Sequence, residues 1–193
     1  MSTEKAKSTD VVTSSLVAGT RSGENAMASG CFTIQCYDKD GKLKWESSNH
    51  NLVVNQGLQD MNAKYFLGSS YTATWYIGLY GAAASNTPAP GDTAASHAGW
   101  TEVAPYSNAT RPACTFGTAT TADPSVISNS ASPASFTINA AAIIGGAFLI
   151  SDNTKFGTTG TLFSAANFSA PGDRTVLDGD LLGVTYIYSL SAT

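Results

Sequence analysis

The chain of 193 residues is weakly acidic and poor in charge, with 12% Asp, Glu, Lys and Arg and a formal net charge of −4. Its length suits one domain with a sizeable core. After Lys64 the basic residues are too sparse to form a cationic stripe along a nucleic acid. No apolar run reaches the roughly 18 residues of a membrane span. We therefore expect neither nucleic acid nor membrane as a partner.

Residues 1–29 form a segment of their own, rich in Ser, Thr, Lys, Glu and Gly. A segment with so few large apolar groups does not order by itself. It is either a flexible tail or an arm that orders on a neighbouring subunit through Val11, Val12, Leu16 and Val17. Polar residues interrupt this apolar set, whereas a secretory signal needs about 7 to 15 consecutive apolar residues. We therefore expect synthesis in the cytosol without a signal peptide.

Two alternating runs after this segment predict a β-hairpin. Apolar and polar residues alternate through Cys31–Tyr37 and again through Lys42–Glu46, which is the period of a half-buried strand. The loop between them ends in Asp40-Gly41, a turn-forming pair. Asp38 and Asp40 also suggest a calcium loop, but the glycine comes too early and no acid follows at the twelfth position. We therefore interpret the loop as a turn.

Residues 56–67 predict the one helix of the chain. Leu58, Met61 and Tyr65 recur at steps of three and four residues, which places them on one helical face. Asn55 precedes them and can cap the first turn. We therefore expect a short helix that packs its apolar face across an end of the domain.

Further short strands separated by turns are predicted on either side of this helix. In the strand 74–80, Gly78 indicates a close approach by another backbone. Gly145 and Gly146 argue against a helix in the apolar stretch 140–151, since each glycine costs a helix about 1 kcal/mol, and favour a strand that bends there. The remaining predicted strands are 100–103, 113–118, 135–139, 161–164 and 174–177, and Leu52–Val54 is a short apolar run before the helix.

The last strand, Gly179–Leu190, is the most regular, and the rest of the chain is predicted to be organised around it. Every second residue from Leu182 to Leu190 is large and apolar, so one face of the strand belongs in a core. About nine short antiparallel strands with turns between them predict an all-β fold, a jelly-roll-like β-sandwich with one short helix. We assign residues 30–193 to this domain and residues 1–29 to the arm.

The three cysteines, Cys31, Cys36 and Cys114, do not form a disulfide pattern. Cys31 and Cys36 are five residues apart in one predicted strand and would point to opposite faces, so small buried thiols are expected. No Cys and His spacing typical of a metal site and no phosphate-binding loop is present. The sequence therefore predicts neither a cofactor nor a metal.

Catalysis is not expected either. Only His50 and His97 could act as a histidine base. His97, Asp92 and a nearby serine can be drawn as a triad, but no Gly-x-Ser-x-Gly elbow supports it. Asp178 and Asp180 flank a turn, where an aspartate usually caps its own backbone, so they are weak candidates for a glycosidase pair. We assign no catalytic residue.

The order of the turns and strand faces resembles that of virion-associated proteins of tailed bacteriophages, in particular capsid cement (decoration) proteins with a jelly-roll fold. The resemblance covers roughly residues 31–190 and contains framework features rather than a catalytic signature. The segments that carry it are Tyr37–Trp45, Asn51–Leu58, Trp75–Tyr80, Gly91–Thr93, His97–Glu102, Thr110–Ala113, Gly146–Leu149, Gly160–Ser164 and Asp178–Tyr186.

This resemblance implies a viral structural protein that binds the outer surface of the assembled phage head. As a homo-oligomer, a dimer or trimer, it would stabilise contacts between major capsid protein subunits. We expect its partner contacts in the loop 82–99 and at Val11, Val12, Leu16, Val17 and Trp100.

Two other classes stay open from the sequence. The alternative is a receptor- or glycan-binding module of the tail tip or fibre, and the third hypothesis is an enzyme that acts on cell-wall glycans through His97 or Asp180. The tail module would use exposed aromatic side chains such as Trp75, Tyr76, Tyr80 or Trp100.

Overall fold

The computed structural model describes residues 26–71, 74–81 and 87–192. Of the described residues, 46% lie in strands and bridges and 8% in a helix, which confirms the predicted all-β class. In chain order the elements are β1 (Ala26–Tyr37), β2 (Leu43–His50), β3 (Leu52–Val53), α1 (Asn55–Phe66), β4 (Trp75–Tyr80), β5 (Glu102–Val103), β6 (Ala113–Cys114), β7 (Ser125–Ser128), β8 (Ala134–Thr137), β9 (Ala142–Ile144), β10 (Gly146–Ile150), β11 (Leu162–Asn167), β12 (Arg174–Val176) and β13 (Leu181–Ala192).

Two antiparallel sheets pack face to face. The first has the order β2-β1-β13-β7, with β8 also paired to β13, and the second has the order β3-β11-β10-β4-β5, with β6 also paired to β4. Strands β9 and β12 form a separate pair. Large side chains from both sheets, among them Phe32, Ile77 and Leu149, are buried together between them. The fold is therefore a β-sandwich, and its jelly-roll connectivity stays a prediction.

The last strand has the central place that its sequence predicts. β13 pairs with β1 along its whole length, from Leu181 opposite Tyr37 to Ala192 opposite Ala26. Its other edge pairs with β7 and β8. Leu182, Val184 and Tyr186 have no exposed surface, as expected when alternate residues of a strand face the core.

The predicted hairpin of β1 and β2 is confirmed, and its loop is a turn. The carboxylate of Asp38 accepts hydrogen bonds from the backbone N–H groups of Asp40 and Lys42, and Gly41 has a φ of 79° that glycine adopts without strain. However, β1 begins at Ala26, so the arm boundary predicted at residue 30 lies too late. Pairing with the end of β13 extends the strand, which local composition cannot reveal.

Helix α1 confirms the predicted helix, but its cap and its face were predicted wrongly. Asn55 is the first helical residue, and Val54 before it provides no side-chain cap. The helix meets the sandwich through Gly57, where a Cβ would lie 2.4 Å from the carbonyl oxygen of Phe163. This close approach by a backbone orients the helix so that Leu58 and Tyr65 are exposed. A predicted core face is therefore largely open to solvent.

A second small core lies on the other face of the second sheet. Alternate residues of β10, Phe148 and Ile150, turn away from the first sheet. The chain before β5 covers them with Ala94 and Trp100. This strand is consequently buried on both faces, which explains why its sequence is apolar without alternation. The chain bends at the paired glycines, as predicted: β9 ends at Ile144 in another sheet, and β10 begins at Gly146.

Gly78 makes room for an aromatic ring from the adjacent strand. Phe148 lies directly opposite Gly78, and a Cβ at residue 78 would lie 2.1 Å from the Cζ atom of that ring. The sequence predicted the close approach but named the wrong partner, a backbone. The ring is held there because Trp100 packs on it, with 5.0 Å between ring centroids.

The three cysteine thiols are free. Cys36 and Cys114 are buried, as predicted, and Cys31 on the opposite face of β1 is partly exposed. Burial is the main cause that raises the pKa of both Cys36 and Cys114 to about 12. The two buried thiols therefore stay protonated at neutral pH and serve as packing groups.

Candidate functional site

Trp100, which the sequence analysis proposed as a partner contact, is an internal residue. Only 3% of it is exposed, and its ring packs between Tyr80, Phe148 and His97. Its indole N–H donates to the carboxylate of Asp92 over 2.8 Å. Trp100 thus fastens the loop before β5 to the second sheet, and direct contact of its side chain with a partner is not supported. The other proposed contacts, at residues 11, 12, 16 and 17, lie outside the described residues.

Asp92 and His97 both serve to hold Trp100 in place. Asp92 also accepts a hydrogen bond from the backbone N–H of Ala89. Nδ1 of His97 donates to the carbonyl of Trp100 over 2.9 Å, and its ring stacks on the indole. In a catalytic triad the carboxylate would accept the hydrogen bond that this Nδ1–H group donates. The geometry therefore gives both residues a structural role.

Asp180 caps the turn before β13, and its neighbour Asp178 is exposed. The buried Asp180 carboxylate accepts from the backbone N–H of Leu177 over 2.8 Å and from the Lys44 ammonium. Burial opposes ionisation, but these two donors favour the carboxylate more strongly, so the pKa of Asp180 lies below its usual range. This is the self-capping role expected of a turn aspartate.

We expect the Asp180→Asn substitution to destabilise the protein at neutral pH by about 1–3 kcal/mol, the range for hydrogen bonds to charged groups. Because folding lowers the pKa of Asp180, its contribution is present above the unfolded pKa of about 3.9 and is lost as the pH falls through the folded pKa. Urea unfolding of both proteins between pH 7 and about pH 3 measures this. A stability difference that stays constant over this range would contradict the prediction.

A buried ion pair joins β5 to two loops. Two nitrogens of Arg111 donate to the two carboxylate oxygens of Glu102 over 2.9 and 2.7 Å. The guanidinium also donates to the carbonyls of Asp152 and Gly157, and Glu102 accepts from the N–H of Phe156. Every partner here is part of the framework. The pair therefore joins residues 152–157 to β5.

A concave surface lies at the end of the sandwich beside α1. It is an apolar groove of about 870 Å³ between the ends of the two sheets. We call it the α1 groove. Its side chains come from β1, β7 and β13 of the first sheet, from β4, β10 and β11 of the second, and from α1. They include Ala26, Ala28, Met61, Trp75, Phe163, Tyr188 and Leu190.

Exposed apolar side chains surround the mouth of the groove at the end of α1. Their exposed fractions are 83% for Tyr65, 74% for Phe66, 81% for Leu67 and 69% for Tyr71. The rings of Tyr65 and Phe66 touch edge to face, with 4.9 Å between centroids, and with Tyr71 they line the groove. We call these four residues the aromatic rim. Clustered exposed apolar groups of this kind indicate an interaction surface.

The rim has little charge. Asp60 and Lys64 of α1 lie at the groove and are paired with each other, Oδ1 to Nζ, at 3.8 Å. Among the described residues, no group of three or more His, Cys, Asp and Glu side chains could hold a metal ion. Within the same residues, no helix has the length and apolar character needed to cross a bilayer. The surface that the geometry offers is therefore suited to binding another apolar surface.

Comparisons with protein-family models, with curated proteins and with solved structures found no match to this chain.

Sequence reasoning did not identify the rim. Helical periodicity predicts that Tyr65 faces the core, and it assigns no binding role to Phe66, Leu67 or Tyr71. A signal was nevertheless present, because three large apolar residues in succession, Tyr65–Leu67, cannot all lie on one face of a helix. At a helix end, some of them must face solvent or a partner.

Proposed function

We propose that this protein is a structural component of a phage virion that binds the outer surface of the assembled head and stabilises contacts between major capsid protein subunits. The observation that best supports this proposal is the aromatic rim, Tyr65–Leu67 with Tyr71, exposed on a domain of low charge. The resemblance of the framework segments to capsid cement proteins supplies the setting. The jelly-roll connectivity and a dimeric or trimeric state belong to the same proposal.

The rim has the composition of an interface core. Such cores are depleted in charge and enriched in aromatic side chains, and a specific contact buries at least about 1,000 Å² in total. On a capsid, the rim would insert at the junction of neighbouring subunits and remove Phe66 and Leu67 from water. Repetition over the lattice, together with an oligomeric binding protein, makes modest individual contacts strong in sum.

The tail-module alternative has less support from the described residues. Of the four rings suggested for it, Tyr80 and Trp100 are buried, and Trp75 and Tyr76 are only partly exposed. Sugar binding would need open ring faces, which the chain offers instead at Tyr65 and Tyr71. Glycan binding is therefore the outcome to examine if capsids do not bind the protein.

Pelleting with capsids stripped of the protein tests the proposal. We expect saturation at a number of copies that matches the capsid lattice. The Phe66→Ser/Leu67→Ser variant should bind far fewer copies, because it removes apolar area from the rim, while its unfolding midpoint should change little since both side chains are exposed.

Leu177→Ser provides a matched control for the rim variant. Leu177 is also an exposed large apolar residue, at 50%, but it lies beside Asp180, at the opposite end of β13 from the groove. It should bind like the wild type. Equal binding by the rim variant would remove the rim from the interface. Absence of lattice-stoichiometric binding by the wild type would overturn the capsid proposal and direct the next screen to host-surface glycans.

A further inference from the structure

The α1 groove exists because the core-facing residues at the start of β1 are small. Along the core-facing side of β1, Ile34 and Phe32 fill the space between the sheets, but Ala28 and Ala26 follow them toward the strand's start. Opposite these alanines, β13 continues with Leu190, which is 44% exposed. The first sheet thus extends an apolar surface that the rest of the described chain leaves uncovered.

The preceding chain reaches this groove directly. Ala26 is both the first described residue and part of the groove lining, so residue 25 is attached at its edge. Residues 11–20 carry no charge and contain Val11, Val12, Leu16 and Val17. An uncharged apolar segment therefore lies close in sequence to a groove whose lining charges, Asp60 and Lys64, are already paired with each other.

We propose that residues 11–20 of the same subunit occupy the α1 groove, with Leu16 and Val17 placed against Trp75, Met61 and Phe163. The nine residue-to-residue steps from Val17 to Ala26 span up to about 30 Å when extended, which allows the chain to turn back. Ser22-Gly23 lies between them and is a turn-forming pair. The arm's apolar residues then cover the α1 groove of their own domain. This inference holds whether or not the protein binds capsids.

The attachment at Ala26 favours the arm of the same subunit over that of a second copy. A short flexible connection holds a tethered segment at an effective concentration of the order of millimolar. Any free copy at ordinary working concentrations competes poorly with such a segment. Occupancy of the groove by the arm should therefore be independent of protein concentration.

Acrylamide quenching of Trp75 in the full chain tests this inference. Trp75 lines the groove and is partly exposed, whereas Trp100 is buried, so a Trp45→Phe background makes Trp75 the accessible reporter. Leu16→Asp/Val17→Asp in this background should raise quenching to the level of a chain that lacks residues 1–20, because it places carboxylates where the apolar side chains of Leu16 and Val17 contact the groove.

Ser14→Asp/Ser15→Asp is the control, since it adds the same charge to the same segment without removing an apolar side chain. It should leave quenching at the parent level. Equal quenching of the parent and the chain lacking residues 1–20 would overturn the inference. Shielding of Trp75 that disappears on dilution of the parent would overturn assignment to the same subunit and place the arm on a second copy. Since no capsid is present, neither result depends on the proposed function.

Discussion

Replacement of Arg111 by methionine is expected to destabilise the protein by about 3–5 kcal/mol, the loss found when one partner of a buried ion pair is removed. Arg111 and Glu102 are only 1% and 7% exposed, so the substitution leaves a buried carboxylate without its cation. The carbonyls of Asp152 and Gly157 lose their donor as well. Since domains of this kind are stable by about 5–15 kcal/mol, urea unfolding should show a large drop in midpoint.

Two further variants separate loss of the charge partner from loss of packing. Glu102→Gln/Arg111→Met removes both charges and keeps an acceptor for the N–H of Phe156, so it should recover much of the stability that Arg111→Met loses. Lys39→Met removes a cation from the exposed pair with Asp40 and should have little effect. An Arg111→Met protein as stable as the wild type would contradict this prediction.

The Gly78→Ala substitution is expected to cost about 1–3 kcal/mol or more, the range for overpacking of a well-filled core. The added Cβ would lie 2.1 Å from the ring of Phe148, and that ring cannot move away because Trp100 packs against it. β4 lies inside the second sheet, between β10 and β5, so a shift of its backbone would disturb both neighbours. Thermal and urea unfolding both measure the effect.

Gly183→Ala is a matched control on a central strand of the other sheet. There the nearest atom to the new Cβ is the Cβ of Pro133 at 3.9 Å, an ordinary contact, so stability should change by less than about 0.5 kcal/mol. Phe148→Leu replaces the ring with a smaller side chain. In a Gly78→Ala/Phe148→Leu protein it should therefore offset part of the stability that Gly78→Ala loses. Equal effects of the two alanine substitutions would show that crowding against Phe148 is not the cause of the loss at residue 78.

Much of the framework could be predicted because local patterns encode it. Alternation identified β13 and the β1–β2 hairpin, and turn-forming residues located the loop after Tyr37. Strand β7 (Ser125–Ser128) was missed, since its four residues lie in a polar region and their strand conformation depends on pairing with Ile187–Leu190. The strand predicted at 113–118 shortened to β6 (Ala113–Cys114), because β4 pairs with only those two residues.

The interaction surface was harder to predict, for a specific physical reason. The spacing of Leu58, Met61 and Tyr65 shows an apolar helical face, but it cannot show whether that face meets the core. Gly57 decides this, because its close contact with Phe163 turns the helix on the sandwich. Trp100 illustrates the opposite error: an aromatic residue beside a long loop looked available to a partner, yet the second core encloses it.

The all-β class, the central last strand, the hairpin and one helix could be predicted from the amino-acid sequence, since each depends on periodicity or on a local turn. Which apolar residues are buried, which charges are paired and where a groove remains follow from the packing of the two sheets. Burial of Trp100 depends on Tyr80 and Phe148, and burial of the Arg111–Glu102 pair depends on residues 152–157, which are distant in sequence. These contacts form only when the chain packs, and no local pattern records them.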